Sequence, residues 1–125
     1  MSSTGYKKQT VQGFLAGADL SALKNTFVKF SGTDQKTVVG CGSGENPCGV
    51  LLNSPTSGQM AEVCTGGGCE LKAGGTIDPN ASIGSGALGV GAAITSGAAF
   101  AVADAGAVIG DIFPIHIELH TGRAV

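Results

Sequence analysis

Apolar and polar positions alternate with a period of two over several short stretches, and nowhere recur at the three- and four-residue spacing of a long amphipathic helix. The clearest stretch is residues 115–120, where Ile115, Ile117 and Leu119 alternate with His116, Glu118 and His120. It predicts a strand with one core face and one polar face. Pro114 cannot donate a ladder hydrogen bond, so the start of that strand is expected at an edge or a bulge. Residues 26–31 predict a second strand through Phe27, Val28, Lys29 and Phe30. Phe27 and Phe30 are an odd number of positions apart, so they fall on opposite faces and both sides of the strand should be covered. Residues 36–41 follow as its hairpin partner, and 49–53 as a third strand beyond the Gly42-Ser43-Gly44-Glu45-Asn46-Pro47 turn cluster.

Residues 49–75 read as a β-meander: strand, turn at 53–58, strand from Met60 to Thr65, tight turn at Gly66-Gly67-Gly68, strand. Residues 74–97 mix isolated apolar residues with turn formers and predict loops and short irregular strands. Residues 98–103 predict a further strand, with Phe100 and Val102 set against alanines. Residues 19–24 are long enough for one helical turn capped by Asp19. Residues 1–17 carry Tyr6, Lys7, Lys8, Val11, Phe14 and Leu15 with no neighbouring strand in the sequence. They suit either a frayed terminus or an arm that pairs with a sheet edge. The expected organisation is an N-terminal arm (1–17) followed by a single all-β domain (18–125).

Composition narrows the function. Leu, Ile, Val and Phe supply 30 of the 125 residues, enough for one domain with its own core. With 22 glycines and 4 prolines the chain is turn-rich. A net charge of −2 with 13% charged residues leaves no basic patch able to neutralise several phosphates, which disfavours nucleic acid as a partner. The N-terminus shows no secretory h-region. Residues 79–103 lack charge, but their glycines make them too weakly apolar for a spanning helix, so no membrane partner is expected.

Gly84-Ser85-Gly86-Ala87-Leu88-Gly89 matches the dinucleotide fingerprint G-x-G-x-x-G, but no hydrophobic strand leads in and no amphipathic helix leads out, so no nucleotide cofactor is expected. Cys41 and Cys48 flank one turn-forming segment, and Cys64 and Cys69 another. Two local disulfides, free buried thiols and a metal site all remain open on that spacing. His116, Glu118 and His120 share a strand face and resemble three metal ligands, yet the same alternation describes an exposed strand face, so no metal is expected. Neither histidine has a nucleophile at a recognisable spacing, and no paired carboxylates occur, so no catalytic residue and no enzyme activity are expected.

One resemblance covers roughly residues 17–120. Ala18-Asp19-Leu20-Ser21 leads into the strand Phe27-Val28-Lys29-Phe30. A G-V-L-x-N-x-P-x-x-G turn follows at 49–58, then Ala61-Glu62-Val63, an apolar-x-A-G-G step at 71–75, and Gly110-Asp111-Ile112 near the end. As an ordered series this resembles the small phage cement, or head decoration, proteins. The resemblance implies a compact β-barrel or β-sandwich that binds the major capsid protein on the outer surface of the expanded head, commonly as a homotrimer. It implies location on the virion, with the arm residues Tyr6, Lys7, Lys8, Val11, Phe14 and Leu15 adding capsid contacts. The four cysteines lie outside the pattern. A tail or baseplate component, or a cell-surface adhesion domain, is the alternative for the same β-rich composition.

Overall fold

The computed structural model describes residues 9–32, 36–94 and 99–117. Short apolar runs cut by glycine-rich turns give short strands: β1 (Gln9–Ala16), β2 (Phe27–Phe30), β3 (Thr37–Gly40), β4 (Gly49–Leu51), β5 (Met60–Lys72), β6 (Ser82–Ser85), β7 (Gly91–Ala93), β8 (Ala101–Ala103) and β9 (Ile112–Ile117). They form one mixed sheet in the order β1-β3-β2-β4-β5-β9-β8-β6-β7. The all-β expectation holds. The sheet also returns on itself, because β1 pairs in parallel with β3 and antiparallel with β5. β1, β3, β2, β4 and the first half of β5 therefore make a closed ring of hydrogen-bonded neighbours. A second ring runs from the other half of β5 through β9, β8, β6 and β7, and a parallel bridge between Ala73 and Gly91 closes it.

The strand shared by both rings departs most from expectation. Gly66-Gly67-Gly68 does not turn the chain. β5 runs through it for 13 residues. The glycines form an irregularity instead: Thr10 pairs with Gly66 and Val11 with Cys64, which leaves Thr65 as an extra residue, and Gly67 has φ of 77°. An extra residue flips the side-chain alternation of the strand beyond it. Before the bulge Ala61 and Val63 face one core with Leu20, Val28, Val38 and Leu51. After it Cys69, Leu71 and Ala73 face the other, with Ile83, Ala101, Ala103, Phe113 and Ile115. One strand thus serves two cores.

β2 and β4 contribute to both cores by ordinary alternation, Phe27 and Val50 to one and Val28 and Leu51 to the other. The aromatics of β2 do lie on opposite faces. Phe27 meets Phe100 edge-on with ring centres 5.5 Å apart, and Phe30 meets Phe14 at 5.4 Å. Each fully buried large side chain contributes about 1.5–3 kcal/mol relative to exposure, and both cores hold several, with the larger share, Phe27 and Phe113 included, in the core of the second ring. Residues 19–24 form turns and no helix: the Asp19 carboxylate accepts the Ser21 N–H at 3.0 Å, and the Leu23 N–H donates to the Leu20 carbonyl. Pro114 sits where β9 pairs with β5 alone, since the ladder to β8 starts at Ile115.

Residues 9–16 of the expected arm are also corrected. They are β1, laid along β5 from Gln9 opposite Gly67 to Leu15 opposite Met60. The partner stands about fifty positions away in sequence, which is why no local signal announces it. Leu119, Glu118 and His120 lie outside the described residues. Among the described residues no helix is long and apolar enough to cross a membrane.

Candidate functional site

β1 alternates, but its apolar residues do not all point inward. Phe14 packs on the core with Phe30. Val11 and Leu15, on the other face, are 46% and 50% exposed, and Met60, opposite Leu15 on β5, is 59% exposed. Gly13 stands between Val11 and Leu15, and the Met60 thioether lies directly over it, where a side chain at residue 13 would collide with the sulfur. The result is an apolar strip on the outside of the β1–β5 pair, flanked by the exposed Glu62 opposite Gly13. Three large apolar side chains in one strip are a candidate contact surface, whereas the same residues scattered singly would be ordinary.

On the face of β1 opposite this strip lies an open groove of about 530 Å³, lined by Gln12, Phe14, Phe30, Pro47, Cys48 and Thr65. Its rim is fixed by Lys29, whose ammonium lies 3.0 Å from the Glu45 carboxylate. The same Glu45 oxygen accepts the Gly42 N–H at 2.7 Å, so the 42–47 turn is tied to β2. Lys29 first, and the Gly42 amide second, hold the Glu45 carboxyl below its ordinary pKa. Of the six expected arm residues, Val11 and Leu15 lie on the strip and Phe14 lines the groove. Tyr6, Lys7 and Lys8 lie outside the described residues.

The four cysteines are free thiols. Cys41 and Cys48 do flank a turn, where the Cys41 thiol contacts the Glu45 carbonyl at 3.7 Å and burial pushes the Cys48 thiol up to about 11. Cys64 and Cys69 do not flank a hairpin, because both belong to β5. Both are buried in the same core. The Cys64 thiol donates to the Gly66 carbonyl at 3.3 Å, and the neighbouring Cys69 thiol holds Cys64 below the ordinary thiol range.

The remaining sequence motifs resolve into packing. In the 84–89 segment β6 ends in a three-residue 3-10 turn at Ala87–Gly89, with no helix to receive a phosphate. Gly89 has φ of 78°, and a side chain there would strike the Phe27 carbonyl, so this glycine lets two backbones meet. His116 is half-exposed, with Nδ1 2.8 Å from an Asp104 carboxylate oxygen. Among the described residues no group of three or more His, Cys, Asp or Glu side chains is placed to hold a metal ion.

No family model and no curated protein matches the chain. A solved structure does. It is the head fiber gp8.5 N base in bacteriophage phi29, which superposes with a TM-score of 0.72 at 15% sequence identity, over 89% of this chain and 95% of that one. The two chains share a fold along nearly their whole lengths.

Sequence reasoning missed Met60 and the groove. Met60 was legible by parity: Ala61 and Val63 face the core, so Met60 and Glu62 must face out. The groove was not, because it joins β1, β2, the 46–48 turn and β5, four segments brought together only by ring closure.

Proposed function

We propose that this chain is a phage capsid decoration protein that binds the major capsid protein on the outer surface of the expanded head, as a homotrimer, and braces contacts between capsomers. The observation that carries this reading is the fold shared almost end to end with the base of a phage head fiber. It coincides with the ordered series of cement-protein motifs from Ala18 to Ile112. The physical action is linkage: a protein that binds the assembled shell better than its separated subunits stabilises the shell at every occupied site. No reaction, cofactor, nucleic acid or membrane is involved.

The contact surface in this reading is the strip of Val11, Leu15 and Met60. Leu15→Asp combined with Met60→Asp places two charges in the centre of that interface while leaving both cores untouched. Retention on purified heads lacking the protein, measured by co-sedimentation, is expected to fall by at least about tenfold, the scale of losing central apolar anchors. Ile109→Asp, at a site 73% exposed in the turn between β8 and β9, is expected to leave retention unchanged. Wild-type retention by the double variant, with both variants folded, would sink the reading. Deleting residues 1–16 would remove β1 and open the first ring, whereas deleting 1–8 spares every described strand. Sedimentation equilibrium tests the trimer against the 12.2 kDa chain mass.

The same neighbour favours a second reading, in which the domain is the foot of a longer head appendage. Imaging of particles with and without the protein separates them: compact density flush with the shell supports decoration, and a projecting fibre supports the foot.

A further inference from the structure

Cys64 and Cys69 are five positions apart on one strand, a separation that in a regular strand sets side chains on opposite faces about 17 Å apart. The bulge changes both terms. The extra residue at Thr65 restores a common face, and the left-handed Gly67 bends the strand back on itself. Both side chains enter the same core, 0% and 6% exposed, one on each side of the bulge. We propose that Cys64 and Cys69 form an intrachain redox pair that closes to a disulfide across the bulge of β5, locking the place where one strand passes from the first core to the second.

The two thiols are not equivalent. The hydrogen bond from Cys69 holds Cys64 below the ordinary thiol range, while the same contact, aided by burial, pushes Cys69 far up. Cys64 is therefore the better nucleophile wherever the opening leaves the pair in contact. With a small disulfide such as oxidised glutathione as oxidant, the Cys64 thiolate attacks one sulfur, forms a mixed disulfide and expels one glutathione thiolate. Cys69 then gives up its proton to that thiolate and attacks the Cys64 sulfur, expelling the second glutathione, which takes a proton from solvent. Two protein thiols are oxidised and one small disulfide is reduced to two thiols. Both sulfurs are buried in the closed fold, so exchange runs while β5 is open, during folding or local opening around its three glycines. The Cys41 and Cys48 pair lacks this asymmetry: burial is the leading influence on both, and it pushes each upward.

The test uses the positions of the glutamates. Cleavage after Glu45, Glu62 and Glu70 separates Cys41, isolates Cys48 on residues 46–62, and keeps Cys64 and Cys69 together on residues 63–70. Protein refolded in a mixture of reduced and oxidised glutathione is denatured, alkylated without reductant and digested. The expected 63–70 peptide is unalkylated and two hydrogens lighter than its reduced form, while the Cys41 and Cys48 peptides each carry one alkyl group. Two alkyl groups on 63–70, or protection shared with Cys41 or Cys48, would overturn the proposal. In Cys69→Ser the resolving thiol is gone, so Cys64 is expected to retain glutathione. A variant carrying no glutathione at Cys64 would equally overturn it. Neither outcome depends on whether the protein binds heads.

Discussion

The two rings are built to the same plan around one strand, yet they meet their surroundings differently. The first ring is filled by branched side chains, Val28, Val38, Leu51 and Val63, and carries Val11, Leu15 and Met60 outward on the β1–β5 strand pair. The second holds Leu71, Ile83, Phe113 and Ile115 between alanines at 73, 101 and 103. Its exposed apolar residues are Leu88 on the 3-10 turn after β6, Val108 and Ile109 on a turn whose Val108 N–H is tied to the Asp111 carboxylate at 3.1 Å, and Ile112 at the start of β9. Apolar side chains gathered on one paired strand face offer area that a partner can cover, whereas side chains spread over turns present more separate points. In the proposed function this difference favours the first ring for contact.

The sharpest way to break this contrast is to ask whether the rings are independent. Phe27 sits on β2 of the first ring but packs into the core of the second, against Phe100. Phe27→Ala is expected to cost about 3–5 kcal/mol, the usual range for emptying a buried aromatic site. Chemical denaturation should still show one transition, because both cores share β2, β4 and β5. Two separated transitions would mean the rings fold as separate units, and the division of labour would then be physical as well as functional.

A smaller effect is expected at the switch point. Gly67→Ala places a β-carbon on a left-handed residue within the bulge. The expected cost is about 1–3 kcal/mol by equilibrium unfolding, the range for residues held in sparsely populated backbone regions. Because the bulge sets the parity of Cys69, Leu71 and Ala73, the loss should come with weakened packing in the second core rather than the first. Methyl-resolved NMR of Leu71 against Leu51 measures that asymmetry directly. Equal perturbation of both would show that the bulge is a passive kink.

How far the fold could be read beforehand follows from where each strand finds its partner. β2, β3 and β4 lie close in sequence, and their apolar runs are bounded by turn residues, so their existence and the two-faced character of β2 were legible. β9 was legible through Ile115 and Ile117, whose alternation survives burial. β1 was not, because its outward Val11 and Leu15 obscure the usual inward pattern and its partner lies far along the chain. β5 was misread for a different reason: three consecutive glycines are good turn formers, and only the flanking ladders, to β1 on one side and β9 on the other, keep the segment extended. The contact strip inherits both errors, since it consists of β1 and the first residue of β5. The cysteines show the same limit, where spacing implied a hairpin and a bulge was found.

The smallest expected effect concerns the rim of the groove in the first ring. Lys29 and the Gly42 amide hold the Glu45 carboxyl below its ordinary pKa of 4.5. A carboxyl lowered in the folded state contributes stability that is fully present above its unfolded value and is lost as pH falls through its folded one. The wild type and Glu45→Gln should therefore differ by a small, constant melting-temperature gap from pH 7 down to pH 5. Below about pH 4.5 the gap should close, as protons remove the charge that glutamine already lacks. The pair is exposed, so added salt should narrow the gap at neutral pH as well. A gap that stays constant to pH 3 would mean the Gly42 hydrogen bond, which glutamine can retain only in part, outweighs the ion pair to Lys29. The rim would then be held by the turn alone, and the charge on β2 would be free to serve the groove.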